Sequence, residues 1–301
     1  MSLQLLKKVK ILEGRYFSKL KSRRQYKKTF GRELNLSNPI RYSEKLNLLK
    51  LLHYPNNPQV LLAGDKLGLH TFLSKKGLEG LASPILYSYK SADEIDWDIL
   101  PNKFVIKKSN ACNLNAVVTD KESTDKANLL RKLNSWMKYP YGFHSGELHY
   151  ENMDSRIIVE SFIEDLGEEW NIYCFNGQPK FISVQKQIKK YGKGLTYGKS
   201  DFFVIRTKLD GTIFSFSDDK KAERINKKLG EKIDLPARFD EMLKYAKIVS
   251  EEFPLVRVDF YEHGDRLVLS EMTFTPSNGF AKFPPEIDLQ LGGELVLPDL
   301  S

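Results

Sequence analysis

The sequence predicts an α+β protein, in which helices alternate with antiparallel hairpins. Two turn signals support this prediction: Asn176-Gly177 and Asp210-Gly211 each lie between short apolar runs, and these dipeptides favour two-residue hairpin turns. The third observation is a series of apolar residues at steps of three and four, which predicts an amphipathic helix that ends at Pro254. Its members are Phe239, Met242, Ala246, Val249 and Phe253. We therefore expect two α+β lobes that could close on a ligand.

The N-terminal segment is strongly basic. The chain of 301 residues has a net charge of +8, and residues 1–32 hold eleven Lys or Arg against one acid, Glu13. Apolar residues recur there every three or four positions, which predicts a basic amphipathic helix; they are Leu5, Val9, Leu12, Tyr16 and Leu20. Such a helix could lie on an anionic membrane face or hold an acidic polymer, or it could pack on its own domain. A nucleic-acid partner is not expected, because no nucleic-acid-binding motif is recognisable.

Several other classes of protein are excluded or disfavoured by the sequence. It has no run of 18 apolar residues and no signal peptide, so we expect a cytoplasmic protein that could lie at the inner face of the plasma membrane. Only Cys112 and Cys174 are present, which implies no disulfide framework. Nucleotide-binding GxxxxGKS/T and GxGxxG motifs and the GxSxG nucleophile motif are absent. His144 and His149 flank Glu147, but this pattern is more typical of a polar loop than of a zinc site.

The remaining elements follow in order along the chain. Residues 38–55 predict a helix stopped by Pro55, and residues 63–77 predict a short helix with Gly77 just past its end. Strands are expected at 81–89, at 104–106 and at 156–163, and a helix is expected at 129–137. The strand at 104–106 delivers Lys107 at its end. Lys66, which follows Asp65 at a helix start, and Lys107 could neutralise a polyphosphate, although each alone is also typical of a protein surface.

The last hairpin brings two acids together. Apolar and polar residues alternate over 256–261 and again over 267–271, and residues 262–265 are a turn signal. A hairpin folded about Asp265 places Asp259 opposite Glu271. Like charges across a sheet are destabilising, so this pair needs a cation or a raised pKa, and two carboxylates suit Mg²⁺. A register shifted by one or two residues would instead keep the acids apart.

Six blocks in this order resemble the ATP-grasp superfamily. They are GDK (64–66), FVIK (104–107), RIIVESFI (156–163), EWNIYCFNG (169–177), RVDFYE (257–262) and SEMTFTPSNG (270–279). The sequence is most similar to the teichuronopeptide-biosynthesis-like (TupA-like) branch, which NPIRYSEKLNLLKL (38–51) and ELHYENMDSRIIVE (147–160) also match. The resemblance extends from Leu36 to the C-terminus. It implies an ATP-grasp fold with a basic helix at 1–35, a helical and α/β region at 36–100, a small lobe at 101–163 and a large lobe at 164–301.

The resemblance also implies a nucleotide site. Lys66 and Lys107 match the lysines that contact nucleotide phosphates. Main-chain groups of Ser161 and Ile163, assisted by Glu160, match the positions that hold adenine. The ribose hydroxyls would be bound by Glu168 or Glu169. ATP and Mg²⁺ are therefore the expected cofactors.

A metal site and an arginine complete the implied chemistry. Asp259 and Glu271 match metal-binding acids, Thr273 stands where relatives usually have an asparagine ligand, and Arg257 matches an arginine that steadies the tetrahedral intermediate. Two further departures are Asn171 in place of a common lysine and a glycine-poor loop at 109–116, where Asn110, Asn113 and Asn115 tolerate left-handed conformations.

The implied reaction is the ATP-dependent ligation of a carboxylate to an amine through an acylphosphate. For this branch the resemblance suggests a uronic acid of a capsular or surface polysaccharide, joined to an amino acid or another amine. Two alternatives stay open: a non-catalytic module that binds nucleotide or glycan, and a glycosyltransferase of the same pathway.

Overall fold

A computed structural model describes residues 3–164, 167–187, 195–197, 202–216 and 230–299. Within these residues the chain forms two antiparallel sheets surrounded by helices, so the predicted α+β class is confirmed. The strands are β1 (Ile85–Tyr89), β2 (Phe104–Lys108), β3 (Asn115–Val118), β4 (Ile157–Ser161), β5 (Glu169–Phe175), β6 (Gln178–Gln187), β7 (Leu195–Tyr197), β8 (Phe202–Thr207), β9 (Ile213–Phe216), β10 (Leu255–His263) and β11 (Arg266–Thr273).

The described helices lie around these sheets. They are α1 (Leu3–Tyr16), α2 (Ser18–Phe30), α3 (Tyr42–Leu48), α4 (Pro58–Gly64), α5 (Gly68–Lys75), α6 (Lys126–Met137), α7 (Tyr141–Ser145), α8 (Phe239–Ser250) and α9 (Pro285–Glu294). A π-helical turn (Leu49–His53) and a 3₁₀ turn (Tyr54–Asn56) continue α3 up to the predicted stop near Pro55. Three more 3₁₀ turns occur at Ala92–Glu94, Leu148–Asn152 and Pro276–Gly279.

Each sheet covers its own apolar core. The five-stranded sheet has the order β1-β4-β2-β3-β7, and α6 packs on it through Leu129, Leu133 and Trp136. The six-stranded sheet has the order β11-β10-β5-β6-β8-β9 and shares a larger core with helices α3, α5, α8 and α9. Burial of these apolar side chains is the main stabilising contribution to both lobes.

The predicted hairpins have the expected turns. Asn176 and Gly177 join β5 to β6 with φ values of 49° and 76°, the left-handed pair that this two-residue turn requires. Gly211 turns β8 into β9 with a φ of 83°. The chain reverses between His263 and Arg266, and Asp259 pairs directly with Glu271. A β-bulge between Asp259 and Phe260 changes the register just beyond this pair.

The N-terminal prediction of one helix is wrong. The segment forms α1 and α2, which are separated at Phe17, where φ is −133° and ψ is 36°. No Pro lies near this break, and Gly14, three residues before it, is still inside α1; tertiary contacts favour the break. Gly14 packs so closely on α7 that a Cβ there would lie 1.8 Å from the Phe143 carbonyl oxygen. Lys21 Nζ donates to the carbonyl oxygens of Lys10 and Phe143, at 3.0 and 2.9 Å, and ties the two helices to α7.

The four sequence-based segments remain a prediction. β1, from the segment 36–100, and β7, from the segment 164–301, lie in the same sheet as β2, β3 and β4. Both cysteines are free thiols. Among the described residues, no helix combines the length and the apolar character needed to cross a bilayer.

Candidate functional site

A cavity of about 690 Å³ lies between the two sheets, a size typical of small-molecule sites. Val105 and Val117 line it from the five-stranded sheet, and Tyr261 and Val268 line it from the hairpin of β10 and β11. Most of the predicted site residues also line it: Lys66, Lys107, Glu160, Ser161, Ile163, Glu169, Arg257, Glu271 and Thr273. Glu168 and Asp259 do not line the cavity, and Asp259 is completely buried behind the lining residues.

Two lysines enter the cavity from different parts of the chain. Lys107 follows the buried Ile106 on β2, and its Nζ lies 2.6 Å from Glu160 Oε2 on the neighbouring strand β4. Lys66 lies in the break between α4 and α5. Asp65 fixes this break, since its side chain accepts hydrogen bonds from the main-chain nitrogens of Leu67 and Gly68 at the start of α5. The Lys66 Nζ donates to the Ala111 carbonyl oxygen at 3.0 Å and lies 3.6 Å from Glu271 Oε2.

The charge of Lys66 is favoured by its neighbours. Burial alone lowers the pKa of this lysine, but the nearby negative charge, Glu271 first, raises the pKa overall. Lys66 is therefore protonated at neutral pH, and its contact with the 109–116 loop places the charge where it can bind an anion. Asn113 in that loop has a φ of 60°, so one of the three asparagines does adopt the left-handed conformation that relatives reach with glycine.

Arg257 lies between the two acids of the β10–β11 hairpin. Its Nε donates to Asp259 Oδ1 at 2.7 Å, and its Nη2 contacts Asp259 Oδ2, Glu271 Oε1 at 3.4 Å and Thr273 Oγ1 at 3.1 Å. Thr273 Oγ1 also donates to Glu271 Oε1, at 3.1 Å. The repulsion expected between Asp259 and Glu271 is therefore offset here by a guanidinium, whereas the sequence suggested a magnesium ion.

Burial and ion pairing act in opposite directions on this cluster. The net shift of the Asp259 pKa is upward, because burial and the charges of Glu169 and Glu271 raise the pKa and Arg257 lowers it only in part. For Arg257 burial disfavours the charge, but Asp259 lifts the pKa of the guanidinium well above its usual range. The two bonds from Arg257 reach different carboxylate oxygens, and the ionised form of Asp259 offers both as strong acceptors. This geometry favours an ion pair.

The carboxylates of this cluster can supply one or two protein ligands to a magnesium ion. Glu271 lines the cavity with its side chain 30 % exposed, whereas both Asp259 oxygens are already bonded to Arg257. Mg²⁺ is usually bound by one or two carboxylates and completes its shell with water and phosphate. Glu271 fits this role directly, and Asp259 fits it through one oxygen if Arg257 turns aside. Among the described residues there is no group of three or more His, Cys, Asp or Glu that could hold a metal ion.

The strand β4 and the chain after it form the other end of the cavity. Glu160, Ser161 and Ile163 line this end with Phe162, and Glu169 begins β5 next to it. The strand that matches the adenine-binding positions is thus an edge of the cavity that offers main-chain groups beside apolar side chains. Asn171, which stands where relatives have a lysine, is buried, and its Oδ1 accepts from Ser183 Oγ at 3.2 Å and from Gln185 Nε2 at 3.1 Å.

Sequence reasoning missed one wall of the cavity. This wall, which we call the 141–147/275–278 wall, joins the segments 141–147 and 275–278. Thr275 Oγ1 donates to Glu147 Oε1, and Asn278 Nδ2 donates to the Ser145 carbonyl oxygen at 2.7 Å. Ser277 and Asn278 have φ values of 52° and 57°. Non-glycine residues held in this region are often found at functional sites. The Pro-Ser-Asn-Gly sequence after Glu271 signals a turn, but the long-range partner Glu147 has no local signal.

The chain is similar to one protein family and, more weakly, to several solved structures. No curated protein sequence matches the chain. Solved structures that resemble it include D-alanine–D-alanine ligase from Bacillus anthracis complexed with ATP, at 15 % identity and a TM-score of 0.45, covering 84 % of this chain and 66 % of that one. L-amino acid ligase from Bacillus licheniformis has 14 % identity and a TM-score of 0.43, covering 84 % of this chain and 54 % of the ligase.

D-alanine–D-alanine ligase from Helicobacter pylori has 16 % identity and a TM-score of 0.44, covering 85 % of this chain and 67 % of that one. Against another Bacillus anthracis structure the match spans only 58 % of the ligase. Because these likenesses are weak, the assignment depends on the family itself. The family described as TupA-like ATPgrasp matches residues 44–296, which is most of the chain. The chain therefore belongs to the TupA-like ATP-grasp family.

Proposed function

We propose that the protein is an ATP-dependent carboxylate–amine ligase. The observation that supports this most directly is the convergence of Lys66, Lys107 and Arg257 on one cavity that also contains Glu271. Three cations from three separate elements suit a polyphosphate, and a carboxylate beside them suits a metal-bound nucleotide. Membership of an ATP-grasp family supports ATP as that nucleotide.

The nucleotide would lie along the cavity from β4 to β11. Adenine would lie at the β4 end, against main-chain groups of Ser161 and Ile163, with Glu160 assisting. The ribose hydroxyls would be bound by Glu169 rather than by Glu168, because only Glu169 lines the cavity. Lys107 and Lys66 would contact the phosphates, and for this Lys107 would exchange its contact with Glu160.

In the reaction, a substrate carboxylate would attack the γ-phosphoryl group of ATP and release ADP, and an amine would then displace phosphate to give the amide. The residues of the chain position and neutralise the reacting groups rather than attack them. Arg257 can donate to the oxyanion that forms when the amine adds. Glu271, with one oxygen of Asp259 and the weaker donor Thr273, would hold Mg²⁺, which when bound neutralises charge on the phosphate oxygens.

The substrates follow from family resemblance alone. We propose a uronic acid of a capsular or cell-surface polysaccharide as the carboxylate, and an amino acid or another amine as the partner. A glycosyltransferase is a weaker alternative, because the only Asp-x-Asp of the sequence, Asp96-Trp97-Asp98, is outside the cavity. A non-catalytic nucleotide or glycan binder is a further alternative, and Arg257 between the two acids would be consistent with it.

The experiment is a calorimetric titration of MgATP into the wild type, Glu271→Gln and Asp265→Asn. Asp265 lies in the turn of the same hairpin but outside the cavity, so it is a matched control. We expect the wild type and Asp265→Asn to bind equally, and Glu271→Gln or added EDTA to weaken binding at least about tenfold. ADP release is then screened with uronic acids and amines. Absence of MgATP binding would refute the ligase, and binding without turnover would favour the non-catalytic module.

We also propose that the α1–α2 pair docks on an anionic membrane surface. Its apolar side chains are exposed rather than packed: Val9 by 46 %, Leu12 by 55 %, Tyr16 by 66 %, Phe17 by 61 % and Leu20 by 44 %. They occur among the eleven Lys and Arg of residues 1–32. Apolar side chains flanked by basic ones are the combination that interfacial helices use on anionic lipid.

Vesicle co-sedimentation tests this docking. We expect binding to vesicles that contain phosphatidylglycerol, little binding to pure phosphatidylcholine, and loss of binding in Leu12→Glu/Phe17→Glu. Ile99→Glu, an exposed apolar site distant in sequence, is the control and should bind like the wild type. Binding to polygalacturonate with none to vesicles would instead assign the segment to an acidic polymer.

A further inference from the structure

We propose that the cavity contains a subsite for the amine substrate, in which the carboxylate of Glu147 binds the primary ammonium group. This inference rests on the proposed ligase function and deepens it by locating the second substrate. The first observation is the distribution of charge in the cavity. Four glutamates line it: Glu147, Glu160, Glu169 and Glu271.

Glu147 differs from two of these glutamates in its partners. Glu160 is paired with Lys107 at 2.6 Å, and Glu271 lies within 4 Å of both Lys66 and Arg257. By contrast, among the described residues no Lys or Arg nitrogen lies within 4 Å of the Glu147 carboxylate. Its contacts come from hydroxyl groups: Thr275 Oγ1 donates to Oε1, Tyr141 OH donates to Oε2 at 3.4 Å, and the Ser145 hydroxyl also lowers the pKa of the carboxyl group.

A carboxylate in this place is costly without a positive partner. Glu147 is only 4 % exposed, and a buried carboxylate is destabilised unless it is paired or well hydrogen-bonded. The Tyr141 bond is long, so Oε2 is the oxygen with the weaker partner. A ligand that enters the cavity with an ammonium group would supply the missing positive charge at Oε2, whereas an anionic ligand would be repelled there.

The surrounding residues hold this carboxylate rigidly. The Asn278 side chain joins the two halves of the 141–147/275–278 wall through the Ser145 carbonyl oxygen. Behind it the fully buried Lys50 Nζ donates to the Asn278 carbonyl oxygen at 2.9 Å and to its Oδ1 at 3.1 Å. Burial lowers the pKa of Lys50 to about 7, so this lysine is a weak counter-charge for Glu147 near neutral pH.

The position of Glu147 also fits the reaction. Its partner Thr275 follows β11, four residues after Glu271, so the subsite is next to the end of the cavity where the phosphoryl group would react. An ammonium group must lose a proton before its nitrogen can attack. That proton passes to the Glu147 carboxylate, the C–N bond forms, the C–O bond to phosphate breaks with its electron pair on phosphate, and the second N–H proton leaves with the phosphate. Burial raises the pKa of Glu147 above the usual carboxyl value, which makes its carboxylate a stronger proton acceptor.

Saturation-transfer NMR tests the subsite on the full chain with Mg²⁺ and a non-hydrolysable ATP analogue. The probes are glycine, L-alanine, L-glutamate, L-lysine and ethanolamine, each beside its N-acetyl form. The proteins are the wild type, Glu147→Gln and Glu151→Gln. Glu151 is a matched control, because its Oε1 accepts from the Gly142 main-chain nitrogen at 2.6 Å and it does not line the cavity.

We expect at least one free amine, and not its N-acetyl form, to bind the wild type and Glu151→Gln, and to bind Glu147→Gln at least about tenfold more weakly. MgATP affinity should be the same in all three proteins. The subsite is overturned if amines bind Glu147→Gln as well as the wild type, if no amine binds a wild type that does bind MgATP, or if Glu147→Gln loses MgATP binding too. If the wild type does not bind MgATP, the proposed ligase function is overturned instead. The amine-binding signals of the wild type and Glu147→Gln still decide the subsite separately.

Discussion

The ion pair of Arg257 and Asp259 gives the sharpest quantitative prediction. The substitution Arg257→Met keeps a long side chain but removes the guanidinium, which contacts both oxygens of a carboxylate that is 0 % exposed. Loss of one partner of a buried pair typically costs about 3–5 kcal/mol. The carboxyl group can limit this cost by taking up a proton on folding, because its pKa in the unfolded chain is about 3.9.

The size of the effect follows from this proton uptake. Keeping Asp259 neutral costs about 1.4 kcal/mol for each pH unit above the unfolded pKa, or about 4 kcal/mol at pH 7 and about 1.5 kcal/mol at pH 5. Above pH 3.9 the folded variant holds a proton on Asp259 that the unfolded chain has released, so the stability of the variant decreases as the pH rises. The destabilisation caused by Arg257→Met therefore shrinks as the pH falls from 7 towards 4.

Urea unfolding followed by tryptophan fluorescence measures these free energies at pH 5 and pH 7. The double variant Arg257→Met/Asp259→Asn should recover more than half of the loss at pH 7, because it leaves no buried charge without a partner. A loss below about 1 kcal/mol in the single variant, independent of pH, would refute the reasoning. It would mean that Asp259 is already protonated in the wild type and that Arg257 contributes no ionic stabilisation.

Three further predictions concern pH, packing and backbone conformation. His149 is 1 % exposed, and burial lowers its pKa from 6.5 to about 3, so its contribution to stability is complete above pH 6.5 and is lost as the pH falls towards 3. Relative to the wild type, His149→Gln should therefore lose roughly 2 kcal/mol less stability between pH 7 and pH 5 when both proteins are unfolded with urea at each pH. Gly292→Ala places a Cβ 2.2 Å from the Ile40 carbonyl oxygen and should destabilise by about 1–3 kcal/mol. At Gly293, the next residue of α9, an added Cβ meets nothing within 4 Å, so Gly293→Ala should stabilise the protein by about 0.5–1 kcal/mol. Equal shifts in the melting temperatures of Gly292→Ala and Gly293→Ala would contradict the packing of α9 on the chain before α3. Ser277→Gly should raise the urea midpoint, since Ser277 has a φ of 52°, and an unchanged or lower midpoint would show that the left-handed conformation is not strained.

Local signals predicted much of the fold. The turns at Asn176-Gly177 and Asp210-Gly211 follow from dipeptides that tolerate positive φ, and the pairing of Asp259 with Glu271 follows from the period of two on either side of a recognisable turn. These inferences succeed because each depends on residues close together in the sequence. The lysines Lys66 and Lys107 are predictable for a similar reason, since each stands at the end of a local element.

Features that depend on long-range contacts could not be predicted. Gly14 alone does not predict the end of α1, because the break depends on Gly14 and Lys21 packing against residues 143–144. The 141–147/275–278 wall likewise joins residues more than 120 positions apart, which no periodicity reveals. Arg257 was predicted as a site residue, but its position between Asp259 and Glu271 depends on side-chain geometry that spacing does not determine.

The N-terminal helices and the cavity are physically connected, and this limits how either can be tested. Lys21 Nζ donates to the Phe143 and His144 carbonyl oxygens, immediately before the Ser145–Glu147 part of the wall, and burial lowers its pKa to about 8. Removal of residues 1–32 would therefore release both the membrane-facing side chains and the support of the proposed amine subsite. Substitutions at Leu12 and Phe17 separate the two, because these side chains are exposed and are not among the Lys21 contacts. A loss of ligase activity that occurs on truncation but not with the Leu12 and Phe17 substitutions would thus reflect the wall. Only the surface substitutions can attribute an effect to docking.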